Sequence, residues 1–127
     1  MQARYTRLFT DENGQSRFED AEIGLASGFA VPPAEPLFTA PFFPAEGTFW
    51  IGAPTTWRGD AAHPAPRRMI FVTVRGEYRV TASRNEVRHF PTGSVLLIED
   101  TTGDGHSTEI IGGEEVIVLA IGLTTAP

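Results

Sequence analysis

The sequence predicts an all-β fold, a sandwich or barrel of about nine or ten short strands. Runs of about four to eight residues rich in Val, Ile, Phe and Tyr are separated by Gly, Pro and Asn, which is the pattern of strands and hairpin turns. Apolar residues nowhere recur with the 3.6-residue period of a helix, and no long segment repeats. Because 127 residues suffice for one self-sufficient core, we expect a single domain over residues 1–127.

The first predicted element is an N-terminal hairpin within residues 1–25. Residues 5–10 form its first strand, and the pair Asn13-Gly14 tolerates the positive φ of a tight turn. Residues 16–23 then alternate imperfectly between apolar and charged side chains, which is typical of an edge strand with one face in water.

A Pro- and Phe-rich segment follows at residues 26–46. Five prolines lie between Pro32 and Pro44, and four phenylalanines lie between Phe29 and Phe43. Proline at this density disfavours both helices and central strands, whereas so many aromatic residues argue against a disordered linker. We therefore expect an ordered loop that crosses the sheet and closes one end of the core.

The core of the barrel is predicted over residues 47–123, which hold most of the strand signals. Turns at Gly76, Gly93 and Gly112-Gly113 separate the apolar runs from one another. The predicted strands of this core cover residues 48–51, 55–57, 69–74, 78–82, 86–90, 95–98, 108–111 and 115–123.

Two of these strands are apolar on both faces. In residues 69–74 alternate side chains share a face, and both sets are largely apolar, while residues 116–121 are apolar without interruption. Only one face of a strand points into the core of a sandwich, so the other face needs a cover. We expect a homodimer that buries part of the outer sheet, with the N-terminal hairpin as the competing cover.

Composition argues against several functional classes. The formal net charge is −6, and the ten basic residues, all arginine, are scattered along the chain, which argues against nucleic-acid binding. Without cysteine there is no disulfide or thiolate, and without lysine there is no Schiff base. No apolar run reaches the length of a membrane span and the N-terminus is polar, so we expect a cytoplasmic protein without a membrane partner.

Around His63 the sequence resembles the first motif of the cupins, small jelly-roll proteins, which reads G-x5-H-x-H-x3-4-E-x6-G. Gly76 matches the last glycine of the motif, and His63 matches its first histidine. Ala65 and Met69 stand at the positions of the second histidine and the glutamate, and Trp57 replaces the first glycine. The resemblance implies an antiparallel double-stranded β-helix, the jelly-roll barrel of that family.

The second cupin motif, G-x5-P-x-G-x2-H-x3-N, is matched less completely. Gly93 matches its first glycine, and Gly103 to His106 match G-x2-H, although the segment between them is two residues longer. Thr101 stands in place of the proline, and Ile110 in place of the asparagine. The two motifs together extend the resemblance over roughly residues 47–123.

The resemblance also implies where a metal would bind. Metal-binding cupins use two histidines and the glutamate of the first motif with the histidine of the second, and this chain keeps only His63 and His106 of the four. Ala65 has no donor atom, and Met69 offers only a weak thioether. We therefore expect no resident cofactor, and at most a weakly held divalent metal on the two histidines. The carboxylates nearest along the sequence that would have to complete its shell are Glu99, Asp100 and Asp104.

A small-molecule pocket is the other implication. If the side chain of Met69 faces inward, as the matching position does in cupins, every second side chain along its strand also points into the barrel. The predicted ligand-binding residues are Arg67, Met69, Phe71, Thr73 and Trp57. Arginine suits a carboxylate, enolate or phosphate, and the apolar side chains suit the body of an organic molecule. Arg67 could equally pair with a surface carboxylate, because alternation is unreliable directly after Pro66.

His63 and His106 are the predicted catalytic residues, since an imidazole acts as acid or base near neutral pH. Three functions remain open. The first is a metal-independent cupin that binds a small anionic or oxygenated organic ligand, with or without proton transfer of the isomerase, lyase or cyclase type. The second is a metal-dependent enzyme of the dioxygenase type with an incomplete histidine site. The third is a binding or assembly module without catalysis.

Overall fold

The computed structural model describes residues 1–125 and is all-β, as predicted. A single 3₁₀ turn at Ser83–Asn85 is the exception. No helix in this described part of the chain is long and apolar enough to span a membrane. The strands, in chain order, are β1 (Gln2–Thr10), β2 (Ser16–Gly24), β3 (Ala26–Phe29), β4 (Leu37–Thr39), β5 (Ala45–Ala53), β6 (Gly59–His63), β7 (Met69–Arg75), β8 (Glu77–Thr81), β9 (Val87–Phe90), β10 (Val95–Glu99), β11 (His106–Ile111) and β12 (Val116–Leu123).

Two sheets form the two layers of the domain. The larger sheet has the strand order β2-β1-β10-β7-β12-β5, and the smaller has the order β6-β11-β8-β9. All pairs are antiparallel except β1 with β10, which run parallel, so the prediction of a purely antiparallel arrangement is wrong at this position. Within residues 1–125 no ladder joins the two sheets, so the structure shows a sandwich and not a closed barrel.

The core lies between the two sheets. Leu8, Leu96 and Val118 come from the larger sheet, and Tyr78 and Phe90 come from the smaller one; all five side chains are buried in one cluster. The rings of Tyr78 and Phe90 stack with centroids 5.2 Å apart. Inward and outward side chains alternate along β12, which explains how a strand without polar interruption serves both a buried and an outer face.

The prediction of a strand at residues 55–57 is wrong. Pro54 ends β5, and the Trp57 N–H donates to the Pro54 carbonyl at 2.9 Å, so the chain turns there. The strand begins instead at Gly59 and runs to His63 as β6. The predicted strand is therefore shifted by a few residues along the chain, because Pro54 ends one strand and Gly59 begins the next.

The Pro/Phe-rich segment differs from the predicted loop in two ways. It contains β3 and β4, which pair as a separate ribbon. It also packs on the outside of the larger sheet instead of closing an end of the core: Phe43 contacts a second buried cluster formed by Ile70, Leu97 and Leu123, and the Phe42 ring lies edge-on to Tyr5 at 4.9 Å.

The N-terminal hairpin was the other predicted cover, and the structure contradicts it. β1 pairs with both β2 and β10, so the hairpin extends the larger sheet sideways. A hairpin that continues a sheet cannot also lie across it. Part of the outer face therefore remains uncovered in the single chain.

Candidate functional site

A cavity of about 250 Å³ lies between the two sheets. Most of its wall is apolar, and histidine, tyrosine, threonine and tryptophan side chains supply its polar atoms. The lining residues are Ile51, Gly52, Ala53, Trp57, His63, Ala65, Pro66, Met69, Phe71, Tyr78, Val80, Leu96, Ile98, His106, Thr108, Ile110, Val116 and Val118. A largely apolar, partly open cavity with a few convergent polar groups is a common form of a small-molecule site.

His63 and His106 meet at this cavity, although 42 residues of sequence separate them. They are directly opposite each other where β6 pairs with β11, and their ring centroids are 5.6 Å apart. His106 is 8% exposed, whereas His63 is exposed, so one imidazole lies inside and the other lies at the rim. The structure therefore brings together the two predicted catalytic residues.

Gly105 makes this approach possible. Its φ is 72°, and a Cβ atom at this position would collide with the backbone of His63 and Pro64. Only glycine combines that backbone conformation with so little space. The turn before His106 thus sets how closely β11 can lie against the end of β6.

Asp100 holds the inner histidine. Its Oδ2 lies 2.5 Å from Nδ1 of His106, and its side chain has no exposed surface. An ionised carboxylate only accepts hydrogen bonds, so Nδ1 of His106 donates its hydrogen. Nε2 of the neutral ring then carries the lone pair, which is the arrangement a general base requires.

The same aspartate also positions the segment after the outer histidine. The Asp100 carbonyl accepts a hydrogen bond of 2.9 Å from the N–H of Ala65. The Nδ1 of His63 lies 2.9 Å from the carbonyl of Pro64, and a carbonyl only accepts, so this Nδ1 also donates. Both imidazoles therefore leave Nε2 as the nitrogen free to interact with a ligand.

The donor set does not fit a tightly bound metal. Within residues 1–125 no group of three or more His, Asp or Glu side chains converges on one point. Asp100 is engaged with His106, Asp104 accepts from the Ser83 hydroxyl, and Glu99 binds two arginines. A stable divalent site needs three or four such ligands, and the two histidines are not joined by a third.

Three of the five predicted ligand-binding residues line the cavity. Met69 and Phe71 face inward from β7, as alternation predicts, and Trp57 lies in the wall between β5 and β6. Thr73 also points inward, but it lies beyond the cavity, where its hydroxyl is 3.0 Å from that of Ser94.

Arg67 lies outside the cavity. Its guanidinium donates to Glu46 at 3.0 Å and to the Leu123 carbonyl at 3.1 Å. It passes so close to Gly122 that a Cβ there would come within 2.9 Å of the guanidinium carbon. The alternation of β7 begins at Met69, after Arg67, so it does not determine the direction of this side chain.

Two functional candidates have a role that the sequence does not predict. One is Asp100, which the sequence suggests only as a carboxylate to complete a metal shell, and whose contact with His106 depends on the turn between them. The other is Tyr78, whose hydroxyl is buried without a hydrogen-bond partner in the described part of the protein. Burial raises the pKa of Tyr78, and the nearby Thr73 side chain offsets only part of that rise. Alternation with Val80 would have indicated that Tyr78 faces inward.

No protein-family profile matches the sequence, and no curated protein matches it. Among solved structures, the fold is similar to the cupin domain of Cnp3 from Schizosaccharomyces pombe, with a TM-score of 0.51 and 16% sequence identity. The similarity covers 98% of this chain and 84% of that chain. The chain therefore has a cupin-like fold, which confirms the resemblance seen in the two motifs. A fold similarity at this identity does not carry a function with it.

Proposed function

We propose that this cupin-like domain binds a small oxygenated organic molecule in its cavity and moves a proton with His106, without a metal. The observation that carries the proposal is the fully buried carboxylate of Asp100, 2.5 Å from Nδ1 of His106. Burying a carboxylate is costly unless it serves a partner. Here the partner is an imidazole whose other nitrogen is free at a ligand-sized cavity.

The size and polarity of the cavity define the ligand class. One water molecule occupies about 30 Å³ of liquid, so 250 Å³ has room for a compact molecule on the order of ten non-hydrogen atoms. Aromatic and aliphatic walls favour an apolar body, and no arginine lines the cavity. A phenol, enol or enolisable ketone fits better than a phosphate or another strongly charged anion.

The two histidines have different parts in this proposal. His106, oriented by Asp100, takes a proton from the ligand, and the carboxylate stabilises the imidazolium that forms. The ring centroid of His63 lies 5.6 Å from that of His106. Its unprotonated Nε2 accepts a hydrogen bond from a hydroxyl group of the ligand, and the His106 imidazolium returns the proton to the ligand. The buried Tyr78 hydroxyl is available to donate to the ligand oxygen.

A binding module without catalysis is the second candidate. The apolar lining supports ligand capture by itself, and nothing in that lining requires a reaction. The metal-dependent alternative is not supported by the donor set described above. The experiment below separates binding from proton transfer.

The test uses cyclohexanone, an enolisable ketone of seven non-hydrogen atoms that does not react with arginine. Exchange of its α-hydrogens in D₂O is followed by NMR with the intact protein, His106→Gln and Asp100→Asn. A general base accelerates such a step by about 10²-fold or more, and this acceleration should be lost in H106Q and strongly reduced in D100N. Saturable binding without acceleration would support the binding module instead. The absence of both binding and accelerated exchange would overturn the proposal.

A further inference from the structure

The ribbon formed by β3 and β4 exposes its apolar side chains. We call residues 26–39 the arm. Every residue of its two strands is exposed, and four large apolar side chains on it are between 48% and 60% exposed. These side chains are Phe29, Val31, Leu37 and Phe38. A two-stranded ribbon with so little support from its own domain is only marginally stable in water.

A second uncovered apolar surface lies on the outside of the larger sheet, where β5, β12 and β7 are neighbours. We call it the outer face. Trp50 is 66% exposed and pairs with Leu119, and Val74 is 45% exposed. β5 is nine residues long and forms a ladder only with β12, so its other edge has no strand beside it within residues 1–125. A long apolar edge of this kind is open to another chain.

Charge is almost absent from both surfaces. Residues 25–45 contain one charged side chain, Glu35, and residues 47–57 contain none, although charged residues make up 20% of the chain. Depletion of charge together with enrichment in aromatic residues is the composition of the centre of a protein interface. An ordinary solvent-facing loop of this length would carry several charges.

We propose that two copies of this chain exchange arms, so that the arm of each copy packs on the outer face of the other. The chain carries both halves of an apolar interface, and within residues 1–125 neither strand of the arm makes more than isolated contacts with β5, β7 or β12. A two-fold dimer satisfies both at once, because each copy gives one arm and receives one. This inference concerns the opposite side of the larger sheet from the cavity and does not depend on the proposed function.

The available area agrees with a stable dimer. Because its side chains are about half exposed, the arm offers on the order of 400 Å² of apolar surface, and Trp50 with Val74 offers about 200 Å². An exchange that buries both would cover roughly 600 Å² of apolar surface per copy, and with the surrounding polar surface it approaches the roughly 800 Å² per copy of a standard specific interface. Either surface alone would fall well short of it.

Disulfide trapping tests this arrangement cleanly, because the chain contains no cysteine. Phe38→Cys and Trp50→Cys are made singly and together, and mild oxidation is followed by non-reducing electrophoresis and light scattering at micromolar concentration. The double variant should form covalent dimers, while each single variant should remain uncrosslinked. Crosslinking of W50C alone would mean that two outer faces meet directly, and a disulfide within one double-variant chain would mean that the arm folds onto its own domain. Either result overturns arm exchange.

Charge substitutions provide an independent readout. Phe38→Glu on the arm and Trp50→Glu on the outer face should each yield a monomer by light scattering. Val87→Glu is the matched control, because Val87 is 43% exposed on β9 in the other sheet, and it should leave the dimer intact. An intact protein that is monomeric at micromolar concentration, or one dissociated equally by V87E, would also overturn the proposal.

Discussion

His106 and Asp100 form a buried pair in which the imidazole donates from Nδ1 to Oδ2 at 2.5 Å. The pair is held by local geometry: Asp100 directly follows β10, and His106 begins β11, with the turn at residues 101–105 between them. This contact selects one tautomer of the histidine and leaves Nε2 for the cavity.

The tautomers of the two histidines are the first prediction. In ¹⁵N–¹H NMR spectra of the imidazole groups, both neutral rings should show a protonated Nδ1 and an unprotonated Nε2, because Asp100 and the Pro64 carbonyl both accept from Nδ1. Asp100→Ala should leave His106 in a mixture of tautomers and leave His63 unchanged. An unaltered His106 spectrum in D100A would contradict the role assigned to Asp100.

Gly105 is predicted to be far less replaceable than other turn glycines. Gly105→Ala adds a Cβ against the His63 backbone at a φ of 72°. Gly113→Ala is the matched control, since Gly113 has a similar φ of 70° and open space around it. In denaturant unfolding, G113A should cost about 1–2 kcal/mol, and G105A should cost at least twice as much. Equal losses in the two variants would mean that contact with β6 does not limit this turn.

Tyr78→Phe should make the domain slightly more stable. The Tyr78 hydroxyl is buried without a partner, and an unsatisfied buried donor costs about 1–3 kcal/mol. Removing it should raise the free energy of unfolding by about 1 kcal/mol and weaken binding of an oxygenated probe. Val80→Ala, in the next inward position of β8, should lower stability instead, because it opens a hole in the core. A clear loss of stability in Y78F would show that the hydroxyl has a partner.

The pH dependence of stability should depend on Glu99. Burial acts to raise the pKa of Glu99, but hydrogen bonds and charge from Arg7 and Arg68 outweigh it, and the pKa is lowered. A carboxylate with a lowered pKa in the folded state stabilises the fold above its unfolded pKa, and this contribution disappears as pH falls through the folded pKa. Glu99→Gln should therefore cost about 1.5–3 kcal/mol at neutral pH and progressively less in acid.

The matched control for this effect is Glu109→Gln. Glu109 also pairs with an arginine, Arg79 at 2.6 Å, but its side chain is 53% exposed, against 16% for Glu99. Because solvent screens an exposed pair, E109Q should change stability little at any pH. Parallel pH profiles of unfolding for the intact protein and E99Q would contradict the assignment.

Parts of this site follow from sequence pattern, and other parts depend on turns. Alternation along β7 correctly turns Met69 and Phe71 inward, and the spacing of two partial motifs brings His63 and His106 together. The same alternation does not apply to Arg67, which precedes the strand and donates a hydrogen bond to Glu46. Asp100 reaches His106 only because the intervening turn reverses the chain. Strand alternation does not predict the distance between residues on either side of a turn.

The structure of the Pro/Phe-rich segment also follows only in part from its sequence. Its composition predicts order, and Phe43 indeed packs against a buried cluster. Proline density argues against strands, yet β3 and β4 form between the prolines, because two short edge strands need only each other's hydrogen bonds. Sequence alone predicts that the outer sheet needs a cover, but not which part of the chain is placed there.

The most direct measurement of the central claim is an imidazole ¹⁵N NMR titration of the intact protein with cyclohexanone. The proposed site predicts saturable shifts at Nε2 of His106 and His63, with no response from His89, which lies outside the cavity. Replacing His106 by Gln should weaken binding and remove α-hydrogen exchange together. Unchanged signals from both cavity histidines at saturating probe, or shifts at His89 alone, would contradict a ligand site between the two sheets.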